Sequence, residues 1–183
     1  MDFNLIPKNI ILLIGPSHSG KSTLTNLLQN KLKELNQTVK VLSSDEIRKD
    51  FLQLKNQDEA KTVKGQTVNH IVFPYLLETL KTYITYPINT DFVILDSTGL
   101  DPEFQKTVTQ ISKDYCYTLT KIVFDLPLEL LQSRIYLPQL KKVVKNHYDN
   151  FTSFVLPFLL KTKDQNTYFI KKELRHVSVI LNT

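Results

Sequence analysis

Tryptophan is absent from the chain, cysteine and methionine occur once each, and glycine occurs only four times. The lone cysteine, Cys116, excludes an internal disulfide framework and a cysteine-based metal cluster. Long apolar runs are also missing. The best, Ile10–Ile14, is strand-sized, so no bilayer-crossing helix is expected. The N-terminus has no charged start followed by a long apolar stretch, so no signal peptide is expected, and an intracellular, reducing location fits. Arginine is scarce as well. Of the 23 basic residues only Arg48, Arg134 and Arg175 are arginines. Against a lysine background, an arginine marks a place where planar, bidentate anion recognition is needed.

What is present reads as ordinary globular protein. The chain has 183 residues, 42% of them hydrophobic and 22% charged, enough to bury a core in one domain. Low-complexity tracts, linkers and internal repeats are not evident, so one domain over residues 1–183 is expected. The net charge of +5 permits a polyanionic partner without establishing one.

The hydrophobic pattern alternates between two periods. Apolar runs predict strands at 9–14, 38–43, 91–95, 119–124 and 177–181. Leu24, Leu27, Leu28, Leu32 and Leu35 fall at helical spacing between Gly20 and Asn36. Further helices are predicted from Asp45 onward, capped by Ser43 or Ser44, and over 62–86 with a bend at Pro74. Others are predicted over 102–114, 127–136 and 139–154. Strands alternating with helices imply an α/β fold, a parallel sheet flanked by helices on both faces.

The segment Gly15-Pro16-Ser17-His18-Ser19-Gly20-Lys21-Ser22 matches G-x-x-x-x-G-K-S/T without a gap. It is the phosphate cradle of a P-loop nucleoside-triphosphate-binding protein. The glycines let the backbone curl so that N–H groups face phosphate oxygens, and the following helix adds its positive end. Lys21 reaches the β- and γ-phosphates, while the Ser22 hydroxyl is a Mg²⁺ ligand. The candidate nucleotide-binding set therefore runs from Gly15 through Thr23. His18 is read as filling a variable loop position.

Asp96 ends the apolar strand Phe92-Val93-Ile94-Leu95. That is the layout of an acid supporting Mg²⁺ or its water ligands. No N-K-x-D guanine reader is present, and the chain is short for a motor ATPase, so a kinase using ATP, with GTP still open, is expected. A kinase acting on a hydroxyl gains from a general base, and Asp45 after the second strand is the candidate. Arg48 lies one helical turn on, on the same face, where it could grip an anion on the acceptor. Arg134 follows the fourth strand late in a short helix, the position of a lid arginine acting on the transferring group.

These segments resemble, in order, the kinase domain of the 5′-hydroxyl polynucleotide kinases of phage and bacterial end-healing enzymes. The resemblance is carried by Gly15–Ser22, by Ser44-Asp45-Glu46-Ile47-Arg48, by Asp96-Ser97-Thr98-Gly99-Leu100-Asp101-Pro102, and by Phe124-Asp125-Leu126-Pro127 leading to Arg134. The later stretch Val144-Lys145-Asn146-His147-Tyr148 resembles the helix after the lid. Together they span about residues 10–157. The resemblance implies an adenylate-kinase-like fold with a helical lid at about 127–142. It implies DNA or RNA 5′-hydroxyl ends as partners, with Asp45 as base, Lys21 and Arg134 as further catalytic groups, and Arg48 and Thr98 binding the acceptor. Two departures stand out. Gly99 replaces an asparagine common in the family, and only Lys141 and Lys142 lie where many members carry a second lid arginine. A D-x-D-G-T phosphatase motif is absent, so a stand-alone kinase is expected. A small-molecule kinase acting on a sugar, nucleoside or antibiotic shares most of these features, and a nucleotide-gated binding module is a third reading. Arg175 is assigned near the adenine, because the last strand is expected to end beside the cradle.

Overall fold

The computed structural model of the protein describes residues 1–54, 67–162, 165–173 and 176–182. The main sheet has five strands in the order β3-β4-β2-β5-β6, all parallel. They are β2 (Asn9–Ile14), β3 (Val39–Ser43), β4 (Phe92–Asp96), β5 (Thr118–Phe124) and β6 (Thr167–Ile170). A second, two-stranded parallel sheet pairs β1 (Asp2–Leu5) with β7 (Ser178–Leu181).

Side chains alternate across a strand, and the central strand β2 shows why both faces must be covered. Ile10, Leu12 and Ile14 enter one core, while Ile11 and Leu13 enter the other. Val93 and Leu95 join the first core, and Phe92 and Ile94 the second. Each such fully buried side chain contributes on the order of 1.5–3 kcal/mol. The first core is closed by Leu76, Leu80 and Ile84 of α3 (Asn69–Ile84) and by Phe104, Val108 and Ile111 of α4 (Pro102–Asp114). The second is closed by Leu24, Leu28 and Leu32 of α1 (Lys21–Glu34) and by Phe3 and Leu5 of β1. Leu131 of α5 (Leu128–Ser133) and Leu140 and Val144 of α6 (Pro138–Asn150) complete it.

Several predicted elements differ in extent. The helix expected over 127–136 ends at Ser133, because Pro127 serves as its N-cap and Arg134 as its C-cap. The helix expected over 139–154 starts at Pro138 and stops at Asn150. A π turn at Phe151–Val155 follows, and then α7 (Leu156–Lys161). Pro157 has no N–H to donate to the previous turn, which disfavours an unbroken α-helix there. The helix expected over 62–86 is described from Asn69, continues through Pro74 and ends at Ile84, and its predicted start lies outside the described residues. The last predicted strand exists, but it pairs with β1 rather than with the main sheet, whose edge is the unpredicted β6. Arg175 lies outside the described residues. No helix among the described residues is long and apolar enough to cross a membrane.

Candidate active site

The carboxyl ends of parallel strands gather where the strand order switches direction, and ligands of open α/β sheets bind there. Here β2 leads outward to β3 on one side, and β5 then pairs on its other side. A cavity of about 470 Å³ opens at this edge, lined by residues that follow each of the five strands. Ser17 to Leu24 come from the loop after β2 and the start of α1, and Ser44 and Asp45 from α2 (Ser44–Leu52). Asp96, Ser97 and Thr98 come from the end of β4, Leu126 from beyond β5, and Lys172 and Glu173 from beyond β6. Arg134 closes the list of basic groups over the loop.

The cradle is held tightly. A Cβ on Gly15 would lie 2.8 Å from Phe124 Cβ, so only glycine fits against β5 at that point. The Gly15 N–H donates to the Thr98 carbonyl at 2.9 Å, tying the loop to the end of β4. The buried Lys21 ammonium donates to the carbonyls of Gly15 at 2.9 Å and Pro16 at 2.6 Å, and to Ser19 Oγ at 3.3 Å. The curled loop therefore keeps this cation ready at the position that phosphate oxygens would share. Arg134 Nη1 donates to the His18 carbonyl at 3.0 Å, and Nη2 pairs with Glu173 at 2.7 Å. Among the described residues Lys172, rather than Lys141 or Lys142, is the lysine that joins the lining from outside the loop.

Ser22 and Asp96 line the same cavity, as a hydroxyl and carboxylate donor set for Mg²⁺ would require. Beside them the buried Ser97 Oγ finds no hydrogen-bond partner among the described residues. A buried hydroxyl without a partner is costly, and a metal-bound water or phosphate oxygen would satisfy it. The residues present thus fit a magnesium–nucleotide complex. Ser97 carried no signal in the sequence, because its value comes from burial.

A second cavity of about 430 Å³ adjoins the first and is lined by Asp45, Arg48, Asn69, Phe73, Asp101 and His147 among others. Ser17, Asp45 and Thr98 line both cavities. Ser43 starts α2 by accepting the Glu46 N–H at 3.3 Å, which sets Asp45 in the first turn. Arg48, only 4% exposed, donates to Asp45 Oδ1 at 2.6 Å, Ser44 Oγ at 3.2 Å and Asn69 Oδ1 at 2.9 Å. Its guanidinium also lies 5.7 Å from the centre of the Phe73 ring. Burial lowers the Arg48 pKa below its usual value, and Asp45 opposes that effect. An arginine stays charged throughout, so the second cavity presents a fixed cation.

The sequence gives His147 no role beyond its place in the stretch that resembles the helix after the lid. The structure places its Nδ1 2.9 Å from Ser17 Oγ, across 130 residues of chain. Asn69, Lys172 and Glu173 were likewise missed, since each reaches the site only through tertiary packing.

Fold and cradle together define an α/β protein with a parallel sheet flanked by helices and a P-loop at its carboxyl edge. The chain belongs to the AAA domain family, whose model matches residues 10–141. Among solved structures it is similar to a putative kinase from Chloroflexus aurantiacus, at 15% identity and a TM-score of 0.59, over 91% of this chain and 89% of that one. It is similar to the Mycobacterium tuberculosis APS kinase in complex with AMPPNP and APS, at 15% identity and a TM-score of 0.51, over 97% and 90% of the two chains. A gluconokinase from Sinorhizobium meliloti is similar at 12% identity and a TM-score of 0.52, over 91% and 84%. At these identities the likeness is one of fold. No curated protein matches the sequence.

Proposed function

We propose that the protein is an ATP-dependent kinase that moves the γ-phosphoryl group onto a hydroxyl of an acceptor carrying an anionic group. The observation that carries this reading is the shared wall, in which Ser17, Asp45 and Thr98 border both the nucleotide cavity and the second cavity. An acceptor hydroxyl at that wall meets Asp45 on one side and the γ-phosphate on the other. The acceptor oxygen bonds to the γ-phosphorus, the bond to the β–γ bridging oxygen breaks, and ADP leaves. The acceptor proton passes to Asp45. Lys21 and Arg134 oppose the charge on the transferring oxygens, and Ser22 and Asp96 would hold Mg²⁺, which would supply further positive charge there. Arg48 holds the acceptor's anionic group, and Thr98 contacts the acceptor beside it. The AMPPNP named for the similar APS kinase favours an adenine nucleotide. The chain is read as one kinase domain with residues 127–142 as its lid.

Two acceptor classes meet this description. The order of the motifs supports the 5′-hydroxyl end of a DNA or RNA strand. The similar APS kinase and gluconokinase are named for small acceptors, and a cavity of about 430 Å³ is of ligand size. Those two observations favour a small-molecule acceptor over a strand end. The test is to incubate the protein with Mg²⁺ and γ-labelled ATP against two sets of acceptors. One set is oligonucleotides with 5′-hydroxyl or 5′-phosphate ends, and the other is a panel of sugars, nucleosides and hydroxyl-bearing antibiotics, each offered with and without a carboxylate, sulfate or phosphate group. Label on the 5′-hydroxyl strand alone establishes the end kinase, and label on a panel member alone establishes the small-molecule kinase. If ATP-dependent strand retention occurs without labelled product, both kinase readings fail in favour of a nucleotide-gated binding role.

A further inference from the structure

Helix α6 carries a buried stripe at Leu140 and Val144 that packs into the second core, and His147 continues the stripe one turn later. Packing of α6 therefore fixes where His147 points. It points at the phosphate loop, with Nδ1 2.9 Å from Ser17 Oγ. Ser17 is itself buried at the wall between the two cavities. His147 also lines the second cavity, so one side chain touches the loop and borders the acceptor space.

We propose that His147 is a positioning residue that pins the phosphate loop through Ser17 and so ties loop geometry to the helix bordering the acceptor cavity. The proposal rests on the nucleotide reading of the loop but not on either acceptor class. A hydrogen bond that must hold the loop needs an imidazole with a fixed state, since protonation would change its donor pattern. The surroundings supply that state. Lys21 of α1 and Arg48 of α2 face the ring with positive charge, while Asp45 of α2, His70 of α3 and Asp101 before α4 share its cavity. Burial, followed by the two cations, lowers the His147 pKa from 6.5 to about 4. The ring is therefore neutral across the working pH range. A cation at this position would also compete with Lys21 for the phosphates, which neutrality avoids.

The test is a double-mutant cycle on ATP binding by calorimetry, using wild type, Ser17→Ala, His147→Ala and the double variant. Each single change should weaken ATP binding about two- to tenfold, the worth of one hydrogen bond, and the double should be no weaker than the poorer single. His147→Asn, which keeps a short hydrogen-bonding group, should recover part of the loss. Wild type failing to bind ATP would overturn the nucleotide reading itself. Wild type binding ATP while folded His147→Ala binds equally well, or losses that multiply in the double variant, would overturn the pinning role alone. Should His147→Ala not fold, Ser17→Ala decides, and unchanged ATP affinity in that variant overturns the proposal. By NMR the His147 ring should remain neutral at pH 5.5, and a protonated ring there counts against it.

Discussion

At the scale of single residues the site turns on the ion pair between Asp45 and Arg48. Its two members are unequally buried, with the Arg48 side chain 5% exposed and the Asp45 side chain 26%. Removing the carboxylate charge leaves a buried guanidinium whose other hydrogen bonds among the described residues go to neutral oxygens on Ser44 and Asn69. For fully buried pairs such a loss costs roughly 3–5 kcal/mol. Because Asp45 is partly solvated and asparagine can still accept one hydrogen bond, Asp45→Asn should cost about 1–2 kcal/mol. Loss of a general base lowers turnover about 10²- to 10⁴-fold. The same variant should thus lose kcat far beyond what its modest destabilisation explains. Denaturant melts and steady-state kinetics, on whichever acceptor the labelling experiment identifies, check both. A kcat within tenfold of wild type rules out Asp45 as the base and leaves it as a structural anchor for Arg48.

At the scale of elements, the loop between β4 and α4 explains one departure from the polynucleotide-kinase pattern. Gly99 has φ +59°, and a Cβ there would sit 2.7 Å from the Leu13 carbonyl oxygen and 3.1 Å from Ile14 Cγ1. The Leu13 oxygen is backbone of the central strand and shifts only at a cost. The loop is tied down further by Gln105 Nε2, which donates to the Gly99 carbonyl at 2.7 Å, and by Asp101, which caps α4 through the Glu103 N–H at 2.9 Å. Asparagine tolerates the left-handed backbone but not the clash. Gly99→Asn should therefore cost on the order of 2 kcal/mol and lower Tm by about 4–8 °C, readable in a thermal melt. An unchanged Tm would mean that the loop has room to move. Elements of this kind divide what sequence can reveal. The cradle was legible because its chemistry is contiguous, and α4 because Pro102 marks its start. Strand β6 was not, since Thr167 to Ile170 is a short run hemmed by polar residues, Asp164 to Asn166 before it and Lys171 to Glu173 after it. Nor was the π turn at Phe151–Val155, where helical spacing on both sides hid the break.

At the scale of the whole molecule, the main sheet and its flanking helices could be read from alternating periods, but the convergence of distant side chains could not. Ser17 meets His147, and Arg134 meets Glu173, only after the chain has folded back on itself. One such meeting has a consequence for global stability. His147 has a pKa near 4 in the folded protein against an ordinary 6.5, because burial and then Lys21 and Arg48 disfavour the charged ring. As pH falls below 6.5 the unfolded chain takes up a proton that the folded one refuses. The contribution is therefore fully present above pH 6.5 and is lost as pH falls toward 4. At about 1.4 kcal/mol for each pH unit the loss approaches 3 kcal/mol, reduced somewhat by the partial exposure of the ring. Stability from denaturant melts between pH 7 and pH 4 should fall more steeply for wild type than for His147→Asn, by about 2–3 kcal/mol across that window. Parallel curves for the two proteins would mean that His147 titrates alike in both states, and the charged surroundings assigned to it would then be wrong.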